Sequence, residues 1–351
     1  MLIPAHGTER GVLSSWPRPY PENPYLSRLA ASLAERGITT RSSRYLASLC
    51  ARPHDAPWLH VHWPEWMIRD DRRLRGIARA RWFDALIATA RARGVRIAWT
   101  AHNLLGHDDP HPDLARAARE RWLAACDVVF GHFPDAEADV RAMGFRGRFA
   151  VTPHPHVADD YPPGPERSVA RASLGYDREH RVIVAFGAIE PYKGFDRLAA
   201  AFRTQAPQHA RLLVAGRPSS SDAVRALRDA AAGDLRIRIE ESFLARERVA
   251  AVVTAADALA CSYRAFYTSG TAMLALTYGT PVIGPPIHHL ATFAGQPFFV
   301  PCDDPEQLGT VWPRIDALDE SARTAAREYA LTQTWQNVAA TLDSTLFEVR
   351  S

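Results

Sequence analysis

Short extended runs alternate with helical segments along almost the whole chain, and this alternation limits the fold more than any single residue does. Residues 39–43, 58–63, 94–100, 127–131 and 149–151 read as strands. Helical periodicity fills residues 27–37, 45–50, 69–93, 112–125 and 135–143 around them. A proline-rich stretch without periodicity, residues 153–167, interrupts the pattern. It restarts with strands at 182–186, 211–215, 236–239 and 256–261, separated by helices at 195–204, 221–231 and 246–255. Strands joined by helices predict a parallel sheet covered on both faces, so the expected fold class is α/β with two Rossmann-like domains. The expected boundaries are 1–160 and 161–330, with a last helix in 331–351 packing back on the first domain. In such sheets ligands collect at the C-terminal strand ends.

Composition narrows the function classes. At 351 residues and 47% hydrophobic content, each half is long enough to bury its own core. No apolar run has membrane-spanning length and the first residues lack a signal-peptide pattern, so a cytoplasmic protein is expected. Cys50, Cys126, Cys261 and Cys302 are far apart, which indicates neither a disulfide framework nor a zinc site. A net charge of +3 does not mark a nucleic-acid binder, and no nucleic-acid partner is expected. The charge is unevenly spread, however. Between Arg69 and Arg96 nine arginines face three aspartates, in a helical segment that also holds Trp82 and Phe83. Two readings stand: a peripheral contact with the anionic inner face of a membrane, or a solvated helix face. His60 and His62 alternate on one strand and His154 and His156 repeat the spacing, but no carboxylate or cysteine completes either pair, so no metal is expected.

Two loops in the second half carry phosphate chemistry. In residues 256–286 an apolar run ends at Cys261, an irregular segment follows, and Ser269-Gly270-Thr271 opens a helix that Gly279 closes. A helix start of this kind offers unpaired N–H groups, hydroxyls and a glycine that admits close approach of an anion. Earlier, Phe186-Gly187-Ala188-Ile189-Glu190-Pro191-Tyr192-Lys193-Gly194 joins a strand to a helix and places Lys193 as a point charge. It is neither GxxxxGK[ST] nor GxGxxG.

With Asn23-Pro24-Tyr25-Leu26, the run from Leu59 to Glu65, Tyr263-Arg264, and His102-Asn103-Leu104 followed by His107-Asp108-Asp109, these loops make the chain resemble GT-B-fold glycosyltransferases. Within that class it is similar to mannosyltransferases of exopolysaccharide assembly, which use GDP-mannose and a polyprenyl-diphosphate-linked oligosaccharide. The resemblance implies two parallel sheets facing a central cleft and a nucleotide-sugar donor in the second domain. Donor contacts would come from Gly187, Tyr192, Lys193, Gly194, Tyr263, Arg264, Ser269, Gly270 and Thr271. A glycan or lipid-linked acceptor would meet Asn23, Tyr25, His62, Trp63 and Asn103 in the first domain. Neither a cofactor nor a metal is implied, and His102 resembles the histidine that contacts the donor sugar in such enzymes.

Departures from the pattern carry information as well. Retaining members have two glutamates around the second phosphate helix, where this chain has Phe266 and Leu274, and an arginine where it has Ala188. Inversion is therefore expected. It needs a general base from the acceptor-side domain, and Glu65 and Asp108, each just beyond a strand, are the candidates. Glu190 stands where the mannosyltransferases have a basic residue, which leaves the donor open. A sugar-nucleotide epimerase and a non-catalytic nucleotide-sugar-binding subunit are the competing functions. A dinucleotide dehydrogenase is disfavoured because no strand leads into GxGxxG.

Overall fold

The computed structural model describes residues 10–20, 23–51, 56–106 and 109–348. The chain divides into two compact units, Met1–His154 with Thr334–Ser351, and Pro155–Gln333. The first contains β1 (Gly11–Trp16), β2 (Ile38–Ser42), β3 (Trp58–Val61), β4 (Arg96–Thr100), β5 (Val128–Gly131) and β6 (Arg148–Val151). They pair in the order β2-β1-β3-β4-β5-β6, and all neighbours are parallel. Every residue of β3 and β5 is buried, as a strand covered on both faces requires.

Leu26, Leu29 and Leu33 of the helix Tyr25–Ala34 share one apolar cluster with Val338, Leu342 and Leu346 of the last helix, Trp335–Leu346. That helix is tied to the unit by polar contacts too. Asp343, fully buried, takes Arg10 and Arg36 at 2.9 Å each, and Trp58 Nε1 donates to Leu346 O at 2.8 Å. One start differs from expectation. In the sequence Asn23 reads as a cap with Pro24 at the first helical position; instead Pro24 occupies the cap position and Asn23 Oδ1 accepts from Tyr25 N at 3.0 Å. The asparagine side chain bonds two residues on, so the turn begins one residue earlier than the helix.

The second unit contains β7 (Arg181–Phe186), β8 (Ala210–Ala215), β9 (Ile237–Glu240), β10 (Ala258–Ala260), β11 (Val282–Gly284) and β12 (Phe299–Pro301). Their order is β12-β11-β10-β7-β8-β9, again parallel throughout. Separate apolar clusters are built around Val182, Val184 and Leu259 and around Ile183, Ala185 and Ala258, residues that alternate along β7 and β10. A helix at Arg167–Leu174 was not legible in the sequence, since few apolar residues mark it; Ala170, Arg171 and Leu174 are buried there.

A buried aspartate closes the N-terminal end of this sheet. Asp257, one residue before β10, accepts from Val182 N at 2.7 Å and pairs with Arg167 at 2.6 Å, Arg181 at 2.9 Å and Arg171 at 3.2 Å. Burial pushes its carboxyl up, but the Val182 N–H and the three guanidinium groups outweigh that and hold it below the usual carboxylate range. A depressed carboxyl stabilises the fold above its unfolded value and loses that contribution as pH falls through the folded one. Asp257→Asn should therefore cost about 3 kcal/mol in urea denaturation at neutral pH, and the wild-type advantage should shrink below about pH 4.

Candidate active site

In the second unit two loops meet at the C-terminal ends of β7 and β10. The Ser262 hydroxyl donates to Lys193 O at 2.8 Å, Arg264 N donates to Tyr192 O at 2.7 Å, and Arg264 pairs with Asp196 at 2.6 Å. Gly194 adopts φ 64°, and a Cβ there would overlap Ser262 O, so glycine is required by both conformation and space. Gly216, at the end of β8, is a position that sequence reasoning missed: a Cβ on it would overlap the Gly187 carbonyl. The glycine after Val214-Ala215 was the available signal, because a glycine at a strand end marks close backbone approach.

Lys193 is the centre of this arrangement. It is 8% exposed, and its ammonium lies against Gly187, where a Cβ would strike Nζ and would be 3.8 Å from Thr271 Oγ1. The rings of Tyr263, Tyr192 and Phe195 surround the ammonium at 5.7, 5.9 and 6.0 Å. No carboxylate among the described residues pairs with it. Burial lowers its pKa, opposed by Cys261 and Glu190. Ser269 caps the helix Gly270–Thr277, accepting from Ala272 N at 3.1 Å and sharing a 3.0 Å hydrogen bond with Tyr263 OH. The N–H groups of Gly270 and Thr271 begin the helix and have no carbonyl within it to bond. A buried cation without a counter-ion beside open N–H groups is complementary to an anion with several oxygens. Phe266 and Leu274 are buried in the apolar cluster of this unit, so these positions accommodate no carboxylate.

In the first unit a row of imidazoles runs along the C-terminal edge of the sheet. His62, His102, His132 and His154 lie within three residues of the ends of β3, β4, β5 and β6. Successive ring centroids are 5.4, 5.4 and 5.0 Å apart, and His62 Nδ1 and His102 Nε2 share a hydrogen bond of 3.1 Å. Tyr25 lies edge-on to His102 at 4.7 Å, and Trp63 stacks on His102 at 4.7 Å and on Trp66 at 5.1 Å. Burial, reinforced by the neighbouring imidazoles, holds His62 and His102 well below the ordinary histidine value. Burial likewise pushes His60 and His132 down to about 3. His62, His102 and His132 are therefore neutral at physiological pH. His132 Nδ1 is 3.2 Å from the carbonyls of Thr152 and Pro153, which only accept, so it carries the proton and Nε2 presents a lone pair. His132 and His154 were missed as site residues, although a histidine after each of four successive strands was visible.

Of the other acceptor-side candidates, Asn103 follows His102 and is half-buried, and Asp108 lies outside the described residues. Glu65 begins the short helix Glu65–Ile68 and pairs with Arg119 Nη2 at 3.0 Å. Arg119, 4% exposed, lies 4.4 Å over the Trp99 ring and was not singled out in the sequence. Among the described residues no group of three or more His, Cys, Asp or Glu is placed to hold a metal ion.

Comparison with known proteins agrees with the two-sheet architecture. Residues 180–311 match the family model described as "Glycosyl transferases group 1". The whole chain superposes on sucrose-phosphate synthase of Thermosynechococcus elongatus with TM-score 0.72 at 17% identity, covering 95% of this chain and 98% of that one. Against trehalose-6-phosphate synthase of E. coli the TM-score is 0.71 at 12% identity, covering 97% and 99%. The two-sheet fold is of GT-B type, and the chain is similar to glycosyltransferases of that fold. Among characterised sequences it is similar to the GDP-mannose:glycolipid 4-beta-D-mannosyltransferase of Xanthomonas campestris pv. campestris, 29% identical over 270 residues that cover 75% of this chain and 70% of the relative.

Lys193→Met removes a buried charge that has no ion-pair partner among the described residues. The ligand-free variant should melt about 2–4 °C higher at neutral pH, corresponding to roughly 1 kcal/mol in a unit of this size. A lysine depressed by folding makes the wild type gain stability as pH rises through its folded value toward the unfolded one. The wild-type deficit should therefore close in alkaline melts, and a midpoint that is lower in the variant at pH 7 would contradict the assignment.

Proposed function

We propose that the chain transfers mannose from GDP-mannose to a hydroxyl of a glycan or lipid-linked oligosaccharide, with inversion and without a metal ion. The observation that carries this reading is the Lys193 ammonium, buried with no ion-pair partner among the described residues, beside Gly187 and the helix start at Ser269-Gly270-Thr271. A nucleoside diphosphate leaving group develops charge on its oxygens as the glycosidic bond breaks, and these groups are donors fixed in advance to receive it. The cation and the N–H groups supply the neutralisation for which a divalent ion is used elsewhere.

The identity of the donor is supported by the relative named for GDP-mannose and a β-linked product. An α-linked nucleotide sugar that yields a β-linkage undergoes inversion, and the apolar Phe266 and Leu274 favour the same outcome. In the acceptor-side unit, Glu65 or Asp108 takes the proton of the attacking hydroxyl. His102 and the neutral row around it bond sugar hydroxyls as donors and acceptors rather than as cations. A glycolipid acceptor would bring the enzyme to a membrane surface.

The test combines donor panel and product stereochemistry. GDP and GDP-mannose should raise the melting temperature more than the uridine counterparts, and Lys193→Met should abolish the shift. Release of GDP should require an acceptor, and the product should show the β-anomer by proton NMR. Isomerised nucleotide sugar without acceptor would establish the epimerase instead. Glu65→Gln should lower kcat by about 10²–10⁴-fold with the donor-induced shift unchanged if Glu65 is the base. Normal turnover in a destabilised Glu65→Gln protein would leave that role to Asp108.

A further inference from the structure

A cavity of about 610 Å³ opens at the N-terminal end of the second sheet, the end opposite the Lys193 and Ser269 loops. Arg181 at the start of β7 lines it, as does the buried Asp257 before β10. Arg167, Ser168 and Arg171 come from the helix Arg167–Leu174, and Arg178 from the loop that follows it. β7 runs from Arg181 to Phe186, so roughly 20 Å of strand separates this cavity from Gly187. Guanidinium donors here outnumber the acceptors that the fold gives them. Arg167, Arg171 and Arg181 share the one Asp257 carboxylate, and both of its oxygens are taken. Arg167 bonds it through Nη2 alone, and the buried Nε atoms of Arg167 and Arg171 have no partner among the described residues. Arg178 is exposed and forms no ion pair among them. Burial lowers the pKa of the neighbouring Arg323, and the charges of Arg167 and Arg171 push the same way against Glu320 and Asp257. The helix Arg167–Leu174 also begins here with no side-chain cap and no acid in its first turn. Glu166, at the cap position, accepts from the Ser168 hydroxyl at 2.5 Å instead. An arginine as the first helical residue opposes the helix dipole unless an anion lies nearby.

We propose that this cavity binds a small phosphomonoester on a polyhydroxylated body, a sugar phosphate, at a site separate from the donor loops. The phosphate meets Arg167 and Arg178, whose guanidinium groups retain open donors and match phosphate geometry. Its charge also relieves the repulsion among the arginines and suits the start of the helix. Glu179, Asp316 and Glu320 line the cavity as well but are exposed, so they form its mouth. Carboxylates placed there accept from the hydroxyls of a sugar and repel a longer polyanion such as nucleic acid. The volume falls in the range of small-molecule sites. The proposed transfer reaction uses the other end of this sheet, so the site goes beyond that reading and stands on the cavity alone.

The test titrates the full chain with glucose 6-phosphate, inorganic phosphate and glucose, read by calorimetry and by melting temperature. Glucose 6-phosphate should bind saturably and raise the melting temperature, inorganic phosphate should bind more weakly, and glucose should do neither. Arg178→Glu and, separately, Ser168→Glu should each weaken glucose 6-phosphate binding by at least about tenfold. Both variants should still melt cooperatively without ligand and keep the GDP-induced shift. Lys193→Met should retain glucose 6-phosphate binding while losing the GDP-induced shift, which keeps this outcome separate from that of the donor reading. Binding that survives both cavity variants would overturn the proposal, and its loss in Lys193→Met would assign the phosphate to the donor loops instead. A wild type that does not bind glucose 6-phosphate, or that binds inorganic phosphate equally well, would overturn it too.

Discussion

A parallel sheet covered on both faces leaves only its two ends open, and this chain treats those ends in opposite ways. At the N-terminal ends two aspartates are paired with arginines. Asp127 precedes β5, accepts from Ile97 N at 2.7 Å and pairs with Arg91; Asp257 precedes β10 and does the same with Val182 N and three arginines. Each aspartate satisfies a strand N–H that has no further strand residue to bond, and so fixes the relative height of neighbouring strands. The C-terminal ends are left free for groups that the fold itself does not need.

Those groups differ between the units in a way that divides the chemistry. The second unit holds an ammonium in an aromatic surround, and no carboxylate among the described residues pairs with it. The first holds four imidazoles in a row, and burial with mutual repulsion keeps His62, His102 and His132 uncharged. A neutral imidazole offers one donor and one lone pair, which matches a hydroxyl; an ammonium beside helix N–H groups matches phosphate. Charge alone therefore separates an edge suited to hydroxyls from one suited to phosphate.

The fold was legible because its signals are local. Apolar runs and helical spacing located the strands around Trp58–Val61, Val128–Gly131 and Arg181–Phe186, and the short connections left little choice of topology. The loop at Lys193 and the helix start at Ser269 were legible for the same reason, since glycines, a lysine and hydroxyls sit together in sequence. What escaped depends on distant residues meeting. The helix Arg167–Leu174 is held by Arg171 reaching Asp257, some 86 residues away, rather than by its own apolar content. The histidine row needs four strands laid side by side before its members become neighbours, and Gly216 matters only because Gly187 passes over it. Asn23 failed as a helix cap by one residue, within the margin that competing turn and cap bonds impose.

Arg119 is the most consequential residue that the sequence did not offer, because it anchors Glu65. Its guanidinium stacks on Trp99 and bonds Glu65 Oε2 through Nη2, while its Nη1 is buried with no partner. The pair is thus held by one hydrogen bond, although a guanidinium and a carboxylate can form two. An arrangement selected for stability alone would close the second bond, since a buried N–H left unmade costs free energy. Leaving it open gives the Glu65 carboxylate one anchored oxygen and one that bonds nothing in the described structure. An anchored carboxylate with a free oxygen is oriented for a proton yet not enclosed, and Arg119 must then stay buried while its counter-ion is neutralised. The Trp99 face beneath the guanidinium is what makes that tolerable, because the ring attracts the cation independently of Glu65. The unmade bond, the stacked cation and the open oxygen together are a local cost that the fold bears at the site where the proposed reaction needs a base.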